Sequence, residues 1–107
     1  MVNNTLQLDL VFRSLADPTR RDILHVVLRG EMTVGQLVER YNMSFPAVTK
    51  HLKVLEKAKL ICKRKEGRTQ IVTLAPEALE EADKYLQQYR AMWQSRHDKL
   101  DELLKGE

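Results

Sequence analysis

The sequence predicts a mainly α-helical winged helix-turn-helix domain, in which four helices precede a small β-hairpin wing and a fifth helix follows it. Three observations support this fold class: two capped helical patterns joined by a short turn, two strand-like runs around a glycine, and a long C-terminal helical pattern. Domains commonly have roughly 100 to 200 residues, so a chain of 107 residues accommodates one. We therefore expect a single domain over residues 1–107.

The first two helices are predicted from apolar spacing and from a cap. Apolar side chains recur at helical spacing over residues 5–16. Asp17 followed by Pro18 is typical of an N-cap with a first-turn proline, because proline lacks the N–H that a helix start leaves unpaired. A second helix is therefore predicted from Pro18 to Arg29.

The next two helices form the predicted helix-turn-helix pair. Thr33 and Gln36 have the spacing of a capping box, which opens a third helix of about two turns. Asn42 tolerates the left-handed conformation that ends a helix, and Ser44 offers its hydroxyl as the next N-cap. A second helix that follows within three or four residues is typical of a helix-turn-helix.

The wing is predicted from two strand-like runs that follow the fourth helix. Residues 60–65 and 69–74 flank the tip Glu66-Gly67-Arg68, where glycine permits a positive φ. A hairpin at this position after a helix-turn-helix pair gives the order of a winged helix.

The C-terminal third predicts one helix over residues 76–105, opened by Pro76. Its positions in steps of three and four form a seam that is apolar everywhere except at Arg96. A helix of about 30 residues is roughly 45 Å long, which exceeds what one small domain covers. We therefore expect a homodimer held by this helix and by the helix over residues 5–16. The candidate interface residues are Leu8, Phe12, Leu79, Ala82, Leu86, Tyr89, Trp93, Leu100 and Leu103.

The charge is concentrated in the middle of the chain. The net charge is only +3, yet residues 42–70 hold eight basic residues against two acids, whereas residues 71–107 hold five against eight. A basic surface on a winged helix predicts double-stranded DNA as the partner. The alternative from a different functional class is a winged-helix module for protein association, whose basic face meets an acidic partner.

The candidate DNA contacts divide by element. Outward residues of the fourth helix have the chemistry to contact base edges in the major groove, because a helix fits that groove. Cations on the hairpin have the reach for phosphates, which fix register with little sequence information. The first group is Ser44, Phe45, Pro46, Thr49, Lys50 and Lys53. The second group is Lys63, Arg64, Lys65 and Arg68.

Other candidate sites are weak in this sequence. No catalytic motif is present, so an enzyme is not expected. Three histidines on three predicted helices and a single cysteine do not form a ligand set, so we expect no metal and no cofactor. Cys62 is predicted to be a small buried hydrophobic residue, with a redox switch as the alternative. His97 with Asp101, one turn on, is an alternative pH-sensitive pair.

The aromatic residues of the last helix have two possible functions. Tyr85, Tyr89 and Trp93 are predicted core or dimer contacts, and an aromatic-lined effector pocket is the alternative.

The cellular location of the protein is predicted from features that the sequence lacks. The chain has neither a signal-peptide pattern nor an apolar run long enough for a membrane span, and its lone cysteine forms no internal disulfide. We therefore expect a cytoplasmic protein that does not bind membranes.

Three segments together resemble the ArsR/SmtB family of bacterial transcriptional repressors. The pattern A-D-P-T-R-R-x-I-L lies at residues 16–24, Met-Thr-Val-Gly-Gln-Leu lies at residues 32–37, and V-x-K-H-L-x-V-L lies at residues 48–55. The resemblance implies a dimeric winged helix whose fourth helix enters the major groove of an operator, with Arg64 and Arg68 as wing contacts.

The sequence also departs from the metal sensors of that family. Those members have a Cys-x-Cys pair at the start of the third helix, where this chain has no cysteine. A second family site on the last helix needs more than the single histidine, His97, that this helix holds. The resemblance therefore implies the metal-independent branch, some members of which are similar to autorepressors encoded beside a partner gene. The sequence indicates neither whether an effector exists nor what it would be.

Overall fold

The predicted order of helices and hairpin is confirmed in the computed structural model, which also contains one additional strand. The structure describes the backbone of residues 2–105 and the side chains of residues 7–96 and 98–104. The elements are α1 (Val2–Leu15), α2 (Pro18–Arg29), β1 (Met32–Thr33), α3 (Val34–Tyr41), α4 (Phe45–Lys57), β2 (Ile61–Glu66), β3 (Thr69–Leu74) and α5 (Glu77–Lys105). His97 of the predicted His97–Asp101 pair lies outside the described side chains.

The predicted caps set the start of three helices. The Asp17 carboxylate accepts from the backbone N–H of Arg20 at 3.0 Å, at the start of α2. Thr33 and Gln36 form both hydrogen bonds of the capping box of α3. The Ser44 hydroxyl accepts from the backbone N–H at position 47, at 3.2 Å, which opens α4 only three residues after α3 ends. These bonds satisfy N–H groups that a helix start leaves without a partner.

The hairpin belongs to a three-stranded antiparallel sheet in the order β1-β3-β2. The third strand, β1, was not predicted, because a two-residue strand is too short to show alternation. Its residue Met32 pairs with Val72 of β3. Gly67 has φ of +62° in the two-residue turn of the wing, as the sequence predicts.

The core lies between the helix-turn-helix and the sheet. Side chains with no exposed surface come from α1, α2, α3, α4, the segment before β2, and β3. The largest are Val11, Ile23, Leu37, Val48, Leu52, Leu55, Leu60 and Val72. Because α4 supplies three of these side chains, packing on one side fixes the orientation of the helix. The other side of α4 is left exposed to solvent.

The dimer prediction needs a correction at the start of α5. Ala82 is only 5% exposed and belongs to the protomer's own core, and Leu79 and Leu8 pack partly against that core. Ala82 therefore offers no surface to a second chain, because this first part of α5 covers its own domain. The exposed apolar surface begins further along, at Tyr85 and Leu86.

The prediction of a buried Cys62 is wrong. Its side chain is exposed on β2, which is an edge strand of the sheet. Side chains alternate between the two faces of a strand, so burial of Ile61 in the core directs Cys62 to the opposite face.

None of the helices in the described part of the chain is long and apolar enough to cross a membrane.

A cluster of polar side chains ties α2 to α3 and predicts a pH-dependent contribution to stability. The Asp22 carboxylate accepts from the Tyr41 hydroxyl at 2.6 Å and from the Arg40 Nε at 3.1 Å. These two bonds hold the pKa of Asp22 below its ordinary value of 3.8. A lowered pKa stabilises the fold above the unfolded-state value, and this contribution is lost as the pH falls through the folded-state value.

We expect Asp22→Ala to lower the melting temperature by about 5 °C at neutral pH, because partly exposed hydrogen bonds contribute on the order of 1 kcal/mol. Thermal unfolding followed by circular dichroism should show the gap from the wild type narrowing as the pH falls below 3.8. A gap that stays constant to the lowest pH at which the protein folds would contradict this role.

Candidate nucleic-acid interface

The outer side of α4 presents the residues that the sequence assigns to base contacts. Leu52 and Leu55 hold the helix against the core, and the opposite side leaves Lys50 and Lys53 exposed and Thr49 half-buried. At the start of the helix, Phe45 is 57% exposed, and Ser44 and Pro46 are also exposed. An exposed helix face of this kind can enter the major groove of DNA, which accommodates one helix.

The wing and α4 enclose a basic groove with a volume of about 690 Å³. One side is formed by the start of α3 and by α4, and the other by β2, the turn of the wing and β3. The groove brings together six predicted contacts: Phe45, Thr49, Lys53, Lys63, Lys65 and Arg68. It is also lined by Thr33, Val34, Gly35, Thr69 and Gln70.

Strand alternation determines which wing residues face the basic groove. Lys63 pairs with the buried Val72, and Lys65 pairs with Gln70, so these side chains share the inner face of the hairpin. Gln70 was not among the predicted contacts. The sequence predicts a three-residue tip at residues 66–68, whereas the turn comprises residues 67–68 only, and this shorter turn places Gln70 opposite Lys65.

The wing cations are not equivalent. The Nζ of Lys63 lies 3.3 Å from the Glu56 carboxylate, and the Lys63 side chain is only 17% exposed. Lys65 and Arg68 are exposed, and neither forms an ion pair with another described residue. Lys65 and Arg68 are therefore the wing cations best placed to meet a phosphate.

Arg64 does not lie where the sequence places it. Its side chain is on the outer face of the hairpin, away from the basic groove, because it alternates with Lys63 and Lys65. The guanidinium pairs with the carboxylates of Glu31 and Glu66. The hydrogen bonds that Arg64 donates to these two carboxylates raise its pKa, so it is charged at any physiological pH.

A polar network connects the inner side of α4 to the start of α2. The Arg20 Nε donates to the backbone carbonyl of Ser14 at 2.9 Å, and its Nη1 lies 3.3 Å from the His51 Nδ1. The Asp17 carboxylate lies 3.8 Å from the same His51 nitrogen, and its pKa is lowered mainly by the hydrogen bond from the Arg20 backbone. These contacts join α1, α2 and α4, so Arg20 supports the fold. Arg20 was not among the predicted functional residues.

No group of three or more potential ligands that could hold a metal ion occurs within residues whose side chains the structure describes.

The chain is similar to known proteins in both sequence and structure. Residues 17–63 match the sequence model of bacterial regulatory proteins of the arsR family. The transcriptional repressor SdpR of Bacillus subtilis is 40% identical over 58 residues, which cover 54% of this chain and 64% of the repressor. The aligned region therefore spans slightly less than two thirds of that relative.

Solved structures extend the similarity beyond the matched segment. The crystal structure of an ArsR family transcriptional regulator is 33% identical, with a TM-score of 0.77 over 85% of this chain and 94% of that one. The solution structure of a homodimeric winged helix-turn-helix DNA-binding domain from Mycobacterium bovis, a possible ArsR-family regulator, is 26% identical. Its TM-score is 0.64, over 90% of this chain and 82% of that one.

Proposed function

Since this chain belongs to the ArsR family of bacterial regulatory proteins, we propose that it is a homodimeric, sequence-specific DNA-binding repressor of transcription. In this proposal, the dimer occupies an inverted-repeat operator in the cytoplasm and sterically excludes transcription initiation. The single observation that carries the proposal is the basic groove, in which exposed residues of α4 and the wing cations face the same space.

The proposed base contacts come from the start and the outer side of α4. Lys50 and Lys53 carry donors for guanine acceptors, and Thr49 carries a hydroxyl that can bond to either kind of base edge. Phe45, which is 57% exposed, supplies an apolar surface for a thymine methyl group. Gln70 lines the basic groove from the wing side, and its amide has the donor and acceptor that adenine requires.

The proposed dimer uses the exposed apolar surface of α5. Leu86, Tyr89, Trp93, Leu100 and Leu103 are between 44% and 70% exposed in one protomer. Phe12 of α1 lies against Tyr85 with ring centroids 5.9 Å apart, which places α1 beside this surface. An apolar surface of this extent is typical of an interaction site. The homodimeric relative from Mycobacterium bovis supports a second copy as the partner.

Selection from a pool of random DNA duplexes tests the proposed function. The full chain is incubated with the pool at physiological salt, and the bound duplexes are recovered and sequenced. We expect enrichment of an inverted repeat, because a two-fold dimer presents two identical reading helices. Equal recovery of all sequences would contradict a specific regulator. It is the result expected if the basic face instead binds an acidic protein.

The wing predicts a measurable salt dependence. We expect Arg68→Gln to weaken binding to all duplexes alike and to reduce the slope of log K against log salt by about 2 per dimer, since each phosphate contact contributes about 0.9. Binding is followed by fluorescence anisotropy at several salt concentrations. Lys84→Gln on α5 is the control with the same loss of charge, and it should leave the slope unchanged. A change in sequence preference without a change in slope would indicate that Arg68 contacts bases.

A further inference from the structure

The outer face of the wing carries a cluster of three charged side chains that the proposed DNA contacts do not use. The Arg64 Nη1 and Nη2 donate to the two carboxylate oxygens of Glu31 at 2.8 and 3.0 Å. The Arg64 Nε donates to Glu66 at 3.0 Å. Each of the three guanidinium nitrogens therefore already has a carboxylate partner, and the pair with Glu31 has the bidentate geometry that arginine favours.

This Arg64 cluster spans the whole sheet. Arg64 of β2 lies opposite Ile71 of β3, and Ile71 lies opposite Thr33 of β1. Two strand spacings separate β2 from β1, which is a distance of about 9.5 Å. Glu31 lies just before β1, where the chain leaves α2. The ion pair therefore connects the edge strand of the wing to the end of α2, across the central strand.

The charge of the cluster argues against a DNA contact. One guanidinium faces two carboxylates, so the cluster has a net charge of −1, which repels phosphate. Lys63 and Lys65 alternate to the opposite face, where they line the basic groove. The two faces of the same strand therefore differ in charge and in surroundings.

We propose that Arg64 is a positioning residue, which acts through Glu31 to hold the wing at the angle that keeps Lys65 and Arg68 over the basic groove. This inference rests on the proposed function, because the wing angle matters only if the wing meets DNA. The contribution to folding is small, because the Arg64 and Glu31 side chains are 46% and 55% exposed and surface pairs contribute little to stability. The effect should therefore be visible in binding more than in stability.

The test compares Arg64→Gln, Glu31→Gln and the double variant in the full-length protein. Anisotropy titrations use the selected duplex over a range of salt concentrations. We expect each single variant to raise Kd by about fivefold, because the released wing must be ordered again on binding. The salt slope should stay unchanged, because the ordered wing still contacts the same phosphates in the complex. The double variant should be no weaker than either single one, since coupled residues are not additive. Arg40→Gln is the matched control, because it breaks an ion pair of similar exposure, 48% and 40%, between α3 and α2. It should lower stability comparably and leave Kd unchanged.

A lower salt slope in Arg64→Gln together with a lower Kd in Glu31→Gln would contradict the positioning role. If Arg64 contacts phosphate, Arg64→Gln reduces the salt slope as Arg68→Gln does, and Glu31→Gln tightens binding by releasing the cation. Unchanged Kd in both single variants would also contradict a positioning role.

Amide hydrogen exchange tests, without DNA, whether the Arg64 cluster orders the wing. Exchange at the β2 and β3 amides should increase equally in Arg64→Gln and Glu31→Gln, and it should not increase in Arg40→Gln. Should the wild type bind no specific duplex, the proposed function fails, while this exchange measurement still shows whether the cluster orders the wing. Equal exchange in all variants would mean that it does not.

Discussion

The double substitution Leu100→Glu and Leu103→Glu is expected to convert the protein to a monomer and to weaken operator binding by more than about 100-fold. Both side chains are exposed in the protomer, at 55% and 70%, so their replacement leaves the core intact. In a dimer they would lie against the partner, where unpaired carboxylates are costly to bury. Loss of the dimer also removes the gain in affinity that two linked reading helices provide, which is typically 10² or more.

Sedimentation velocity and anisotropy measure the two effects on the same samples. The matched control is Gln87→Glu with Ala91→Glu, which adds the same charge on the opposite side of α5 by helical periodicity. We expect this control to remain a dimer and to bind as the wild type does. A dimer that survives substitution of Leu100 and Leu103 would place the interface elsewhere.

The second large effect concerns discrimination between sequences. We expect Thr49→Ala with Lys50→Ala to reduce the preference for the selected duplex over a scrambled one by about 100-fold or more. Base contacts are each worth about 1–3 kcal/mol, and a dimer loses them in both half-sites. Lys50 is exposed and Thr49 is half-buried, so the fold should persist, which circular dichroism can check.

Lys57→Ala is the control for this loss of discrimination. Lys57 is the last residue of the same helix and is exposed, so we expect it to lie near the phosphate backbone of a bound duplex and not at its bases. Its removal should weaken both duplexes alike. Equal weakening by the Thr49 and Lys50 variant would mean that α4 positions the protein and does not read bases.

Local chemistry explains why so much of the fold is predictable from this sequence. The caps at Asp17, Thr33 and Ser44 each form hydrogen bonds with N–H groups within three residues, so their effect is independent of the rest of the fold. The apolar periodicity of α4 predicts which side is buried, and the opposite side is then available for DNA. The same reasoning gives the hairpin with its glycine turn.

The features that escaped prediction depend on partners far away in the sequence. Strand β1 exists because Met32 pairs with Val72, forty residues later. The Arg64 guanidinium forms an ion pair with Glu31, and no local sequence pattern connects Glu31 to the wing. Ala82 fits the apolar seam of α5, but the helix changes along its length from covering its own core to exposing its surface. Only the packed structure separates those two parts.

Hydroxyl-radical footprinting of the selected duplex shows whether the two basic grooves of one dimer contact a single DNA molecule at once. We expect two protected segments on one face of the duplex, related by two-fold symmetry, with centres about 34 Å apart or a multiple of it. A single protected segment at saturating protein would contradict the paired arrangement of grooves that the dimer is proposed to create.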